Sequence, residues 1–275
     1  MTTVFGNVPL PLTTENAGRL LALGGRADVP LAAGAARPLV HPQRERAEKW
    51  HGGDGLGGRA AQLPAPVAPG APGAVELMAA VLRDASEPVT VAPVGPITNV
   101  ALLLAVHPEL APKIARIVWM GGALGAGNTT GVSEFNAHSD PEAAHRVLTQ
   151  SDVPVTMVPL DLTQRCAAGP EWLDALAGGG PRCAELAGVI THYRAAHKAR
   201  YGRDAVAVHD AVAVLETIVP GTLTTSGMPL QVACDLGPAR GATVPVPDGP
   251  VTQVATDADP DAVLAAIRDR LLTLG

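Results

Sequence analysis

Short runs of β-branched and other apolar residues alternate along the chain with stretches of helical length. Val89-Thr90-Val91-Ala92-Pro93-Val94 reads as a strand with Pro93 near its end; it runs through Gly95-Pro96 into a helix from Thr98 to about Val106. Ile117-Val118-Trp119-Met120 predicts a second strand, stopped by Gly121-Gly122, and Val155-Thr156-Met157-Val158 a third. Strand-like runs separated by helices predict βαβ units, and so an α/β fold with a mostly parallel central sheet flanked by helices, Rossmann-like in character. With 275 residues, no internal repeat and no interdomain linker, a single domain over residues 1–275 is expected. Sheets of this kind bind ligands at the carboxyl ends of their strands. Polar clusters fall at those ends: Asn7 after Val4-Phe5, residues 128–136 after Met120, and Asp161 after Val158.

The helix boundaries carry their own signals. Asp140-Pro141 and Asp259-Pro260 each place an N-cap carboxylate before a first-turn proline, opening helices to about Leu148 and Leu272. These acidic residues read as caps and not as catalysts. Val208-His209-Asp210-Ala211-Val212 reads as another helix start, with Asp210 as N-cap and His209 before it. A long helix over residues 183–199 carries His192, Tyr193, His197 and Lys198, and residues 63–73, rich in Pro, Ala and Gly, predict a surface loop.

Composition narrows the class. Hydrophobic residues make up 47% of the chain, a globular value. No apolar run approaches the roughly 20 residues of a membrane span, so no membrane partner is expected. Net charge is −6 without a basic block, which argues against nucleic acid and is compatible with a small neutral substrate. The N-terminus has neither a basic n-region nor a cleavage pattern, so no signal peptide is expected. The three cysteines, Cys166, Cys183 and Cys234, are far apart and form no CxxC; a reducing cytoplasm fits best.

Taken singly, the motifs have plain readings. Gly53-Asp54-Gly55-Leu56-Gly57-Gly58 spells GxGxxG, but a polar stretch (residues 44–51) precedes it and a proline-rich loop follows, where a dinucleotide site needs a strand and a helix. Glu134-Phe135-Asn136 is a polar loop, His51 a loop histidine and Met120 a strand-end core residue. Their order says more. Thr2-Thr3-Val4-Phe5-Gly6-Asn7, His51-Gly52-Gly53-Asp54-Gly55-Leu56-Gly57, Gly95-Pro96-Ile97-Thr98-Asn99, Val118-Trp119-Met120-Gly121-Gly122, Gly127-Asn128, Glu134-Phe135-Asn136, Asp140-Pro141-Glu142-Ala143-Ala144 and His209-Asp210 follow one another along nearly the whole chain. This succession resembles the inosine–uridine-preferring nucleoside hydrolases.

The resemblance implies hydrolysis of the N-glycosidic bond of a ribonucleoside to ribose and free base, through a ribosyl oxocarbenium-like transition state. It implies one Ca²⁺ that binds the ribose diol and the attacking water, with Asp210 as a ligand and Val94 giving a backbone carbonyl. Asn7, Asn128, Glu134 and Asn136 match ribose-binding positions, and Met120 lines the same pocket. His209 matches a histidine near the leaving base, a candidate proton donor, and His51 another histidine near the base. The family's members commonly form dimers and tetramers, so a homodimer or homotetramer is a further expectation.

One departure accompanies the match. The family opens with a strand and an acidic loop, DxDxGxDD, that supplies most calcium carboxylates and the Asp that deprotonates water. No such motif occurs in this sequence. The resemblance thus implies that a first βα unit of roughly 30 residues is missing here. Two readings follow: a nucleoside hydrolase, or a non-catalytic ribose- or nucleoside-binding relative without the calcium loop.

Overall fold

The computed structural model describes residues 1–43, 46–70 and 73–275. Parts of the polar stretch 44–51 and of the loop 63–73, namely residues 44, 45, 71 and 72, lie outside the described residues. The chain opens with β1 (Thr2–Thr3), α1 (Leu10–Leu23), β2 (Ala32–Ala33), α2 (Glu48–His51) and α3 (Ala74–Asp84). Next come β3 (Val89–Val91), α4 (Thr98–Val106), β4 (Ile114–Met120), α5 (Phe135–Ser139), α6 (Pro141–Gln150), β5 (Val155–Val158) and α7 (Leu160–Thr163). β6 (Ala167–Ala168), α8 (Pro170–Ala177), α9 (Pro181–Tyr201), β7 (Val206–Ala207) and α10 (His209–Ile218) lead to β8 (Thr224–Val232), β9 (Thr243–Pro245), β10 (Val251–Asp257) and α11 (Pro260–Leu272).

The main sheet has the order β3-β4-β5-β10-β8-β9. It is parallel from β3 through β10 and antiparallel at β8 and β9. The three expected strands and the helix Thr98–Val106 are present. The antiparallel edge was not legible, because β8 carries Gly227 and Pro229, residues that weaken a strand signal. Strand periodicity divides the core into two layers. Ile117, Trp119, Met157 and Val254 face one way, onto Leu82 of α3, Ile97 just before α4, Leu103 of α4 and Val147 of α6. Val118, Met120, Val158 and Ala255 face the other, onto Leu162, Leu176, Val212, Leu215 and Ile267.

Two of the three expected caps form. Asp140 accepts from Ala143 N at 3.1 Å at the start of α6, and also from Leu39 N at 3.0 Å and Thr98 Oγ1 at 2.6 Å. Asp259 accepts from Asp261 N and Ala262 N. Asp210 does not cap. Val208, the single residue between β7 and α10, stands at the N-cap, and α10 begins at His209, which leaves Asp210 inside the first turn.

One gap interrupts the sheet. Among the described residues, β1 pairs, in parallel, only with β2, and β3 only with β4. Between the facing edges lies a slot of about 280 Å³, lined by residues 2–7 on one side and 91–97 on the other.

Candidate active site

The carboxyl ends of β4 and β5 and the start of α10 open into a cavity of about 490 Å³. Its lining includes all nine sequence-selected residues: Asn7, His51, Val94, Met120, Asn128, Glu134, Asn136, His209 and Asp210. The slot between β1 and β3 joins this cavity through shared walls at Asn7, Val94, Phe135 and Asn136.

Glu134 is set by its loop. Gly122, at φ 74°, turns the chain after β4 so that its N–H reaches Glu134 Oε2 at 2.9 Å. The same oxygen accepts from Asn136 N at 2.9 Å and Ala137 N at 3.1 Å, so Glu134 caps α5. Ser133 Oγ donates to Arg240 O at 2.6 Å and anchors the residue before it. At Gly127 a Cβ would lie 2.2 Å from the Ser133 carbonyl oxygen, so only glycine lets the loop close on itself. Asn136 Nδ2 donates to Met120 O at 3.0 Å, and Asn128 Oδ1 accepts from Phe135 N at 2.9 Å. These bonds commit one end of each amide. They leave Asn136 with an acceptor, Asn128 with donors, and Glu134 with Oε1.

His209 lines the same cavity, its Nδ1 2.7 Å from Thr163 Oγ1. The Asp210 carboxylate has no hydrogen-bond or ion-pair partner among the described residues and is open to the cavity. His51, at the end of α2, stacks on Tyr193 of α9 with ring centroids 5.3 Å apart and planes within 7°. Trp50 stacks on Tyr201 at 6.0 Å, and His197 lies 4.6 Å from Tyr201.

The inosine–uridine-preferring nucleoside hydrolase family model matches residues 1–265. The pyrimidine-specific ribonucleoside hydrolase RihA of Klebsiella pneumoniae subsp. pneumoniae is 38% identical, over 98% of this chain and 88% of its own length. RihA of Citrobacter koseri is 42% identical over 82% of this chain and 72% of its own. A purine-preferring ribonucleoside hydrolase from Gardnerella vaginalis superposes with a TM-score of 0.91 at 27% identity, covering 99% of this chain and 89% of that one. The chain belongs to the inosine–uridine-preferring nucleoside hydrolase family.

Charge in this nucleoside hydrolase site is set mainly by enclosure. Burial pushes the Glu134 carboxyl up to about 7, against the pull of its three N–H donors, and the Asp210 charge adds to the rise. Asp210 is exposed where it lines the cavity, and its carboxyl is also pushed up to about 7 by the enclosure around it. Burial lowers His209 to about 4, with His197 and His51 adding to the effect; His51 falls to about 4 through burial and His192.

Among the described residues no three His, Cys, Asp or Glu side chains cluster as metal ligands. Asp210 with one carbonyl falls far short of the roughly 6–8 oxygens that Ca²⁺ takes. The residues present do not by themselves fit the ion. Asp161 is no substitute: its Oδ2 accepts from Leu124 N at 2.7 Å, and the residue does not line the cavity.

Sequence reasoning noted Tyr193 and His197 without giving them a role, and it passed over Trp50, Thr163, Gln164 and Tyr201. Tyr193, His197 and Tyr201 stand four residues apart on one face of α9 and line the cavity. That spacing was the available signal.

Proposed function

We propose that this cavity hydrolyses the N-ribosidic bond of a pyrimidine ribonucleoside. The observation that carries the hydrolysis is the meeting of Asn128, Glu134, Asn136, His209 and Asp210 around one cavity at the sheet's carboxyl edge. The pyrimidine preference is supported by the names of its relatives at 38% and 42% identity.

In this reading the free acceptor of Asn136, the Glu134 Oε1 atom and the Asn128 amide hydrogens bind the ribose hydroxyls. Together they offer both acceptors and donors, as a diol requires. The C1′–N bond breaks as water adds at C1′, the water supplying the ribose hydroxyl and a proton for the free base, and the carboxylates of Glu134 and Asp210 stabilise the positive charge that develops on the ribosyl ring from fixed positions in an enclosed site. His209, against the base, donates toward the leaving nitrogen heterocycle. Trp50, His51, Tyr193 and Tyr201 form an aromatic wall for a planar base.

The assay is release of free base from uridine, cytidine and inosine, followed by chromatography. Release from uridine or cytidine at higher kcat/KM than from inosine is expected. Faster release from inosine would overturn the preference. Binding of ribose or nucleoside without any base release would favour the non-catalytic reading instead.

A further inference from the structure

We propose that Thr163 is a positioning residue that donates its hydroxyl proton to His209 Nδ1 and thereby fixes the neutral imidazole with its proton on Nε2, as a donor to an acceptor atom of the leaving base. The functional half of this proposal rests on the hydrolase reading above; the tautomer does not.

The Thr163 hydroxyl decides the tautomer. Thr163 ends α7, the short helix after β5, and is fully buried. A buried hydroxyl must place its proton on an acceptor. Two acceptors are in reach: His209 Nδ1 at 2.7 Å and Leu160 O at 3.3 Å. The longer contact lies beyond the usual range for a hydroxyl donor, whose bonds cluster at about 2.7–2.8 Å, whereas bonds donated by N–H cluster near about 2.9–3.0 Å. The short contact is therefore read as Thr163 O–H donating to Nδ1. Nδ1 is then an acceptor, and a neutral ring carries its hydrogen on Nε2.

The surrounding backbone fixes this pair. α7 runs on to β6 and β7 runs into α10, and the two strands pair, Ala167 with Ala207 and Ala168 with Val206. Val208 N also donates to Cys166 O at 3.0 Å. Thr163 and His209 are thus held across a short antiparallel ladder rather than on independent loops. Nε2 makes no hydrogen bond to another described residue, while the His209 side chain lines the cavity. The arrangement offers one N–H to a carbonyl oxygen or ring nitrogen of a departing heterocycle, and nothing to a leaving group that needs no hydrogen bond.

The test is heteronuclear NMR of the full chain labelled with ¹⁵N-histidine, with His209→Gln assigning the resonance. A protonated Nε2 and a bare Nδ1 are expected, unchanged in Thr163→Ser and redistributed between tautomers in Thr163→Val. Thr163→Ala is the second hydroxyl-free variant if valine does not fold. A protonated Nδ1 or an imidazolium in the unsubstituted chain overturns the proposal, as does an unshifted tautomer in the hydroxyl-free variants. Kinetics supplies the second arm. Thr163→Val is expected to lose about tenfold or more in kcat on uridine, part of the roughly 10²–10³-fold that one positioned hydrogen-bond donor contributes. On p-nitrophenyl riboside, whose phenolate departs without a proton, little change is expected. Equal losses on both substrates overturn the proposal. If no substrate is turned over by any variant, the hydrolase reading fails while the spectrum still decides the tautomer.

Discussion

Glu134 Oε2 accepts the Gly122 N–H at 2.9 Å and so ties the end of β4 to the start of α5. One carboxylate oxygen closes the loop, and the other is left to the cavity. The two jobs separate by substitution. Glu134→Gln keeps an oxygen for the three N–H groups but removes the charge. It is expected to fold with nearly unchanged stability and to lose about 10²-fold in kcat, the scale on which one fixed electrostatic group acts. Glu134→Ala leaves those donors unpaired and should also lose about 1–3 kcal/mol of stability. Thermal melts and base-release kinetics of both variants check this; equal melting temperatures would remove the structural role.

Asp210 should make the metal-free chain pH-sensitive. Its folded pKa, about 7, lies above the ordinary 3.8. A raised carboxyl contributes stability that is full below the unfolded pKa and is lost as pH rises through the folded one. The loss thus falls between about pH 4 and pH 7. Asp210→Asn has no such group to ionise, so its melting temperature relative to the unsubstituted chain should climb across that window. A difference that stays flat from pH 4 to pH 8 would show that the cavity does not perturb Asp210.

The aromatic wall should sort bases and leave the sugar untouched. Tyr193→Ala removes the partner of His51, and Tyr201→Ala that of Trp50. Aromatic pairs are worth about 0.5–1.5 kcal/mol beyond their buried area, or roughly 2- to 10-fold in binding. KM for nucleosides should rise by that factor, while inhibition by free ribose stays constant. A matching loss of ribose affinity would mean that these rings shape the sugar site too.

How much of this was visible in the chain itself varies with the physics involved. The central parallel strands were legible because they are buried on both faces and read as apolar runs, as in residues 117–120. Glu134 and Asn136 were found because their sequence order carries a family resemblance; nothing in their local pattern reveals that one carboxylate oxygen gathers three N–H groups from two segments. The Thr163–His209 contact spans 46 positions and depends on the ladder between β6 and β7, two-residue strands too short to leave a periodic signal. Asp210 looked like an N-cap because Asp before an apolar helix usually is one. The strand reaching α10 left no room for the turn that capping needs.

The slot between β1 and β3 should accept one more parallel strand. Both bordering strands lead toward the cavity, β1 on to Asn7 and β3 on to Val94, and among the described residues each has a single strand partner. A strand laid between them would pair two open edges and join the two-stranded piece to the main sheet. Running parallel, it would release its carboxyl end beside Asn7, Val94 and Asn136, within the cavity that also holds Asp210. An acidic loop at that end would add the hard oxygens that Asp210 lacks for calcium. Fusing a β-branched strand followed by a DxDxGxDD loop ahead of Met1 is therefore expected to raise the melting temperature without metal, through pairing alone. It should also create calcium binding stronger than about millimolar, measurable by calorimetry. The same extension with prolines at the pairing positions should do neither, because it cannot complete the ladder. Asp210→Ala in the extended protein should weaken calcium binding and leave the metal-free stabilisation in place. Calcium binding that is indifferent to Asp210, or an extension that stabilises equally well with the prolines, would show that the added segment sits elsewhere.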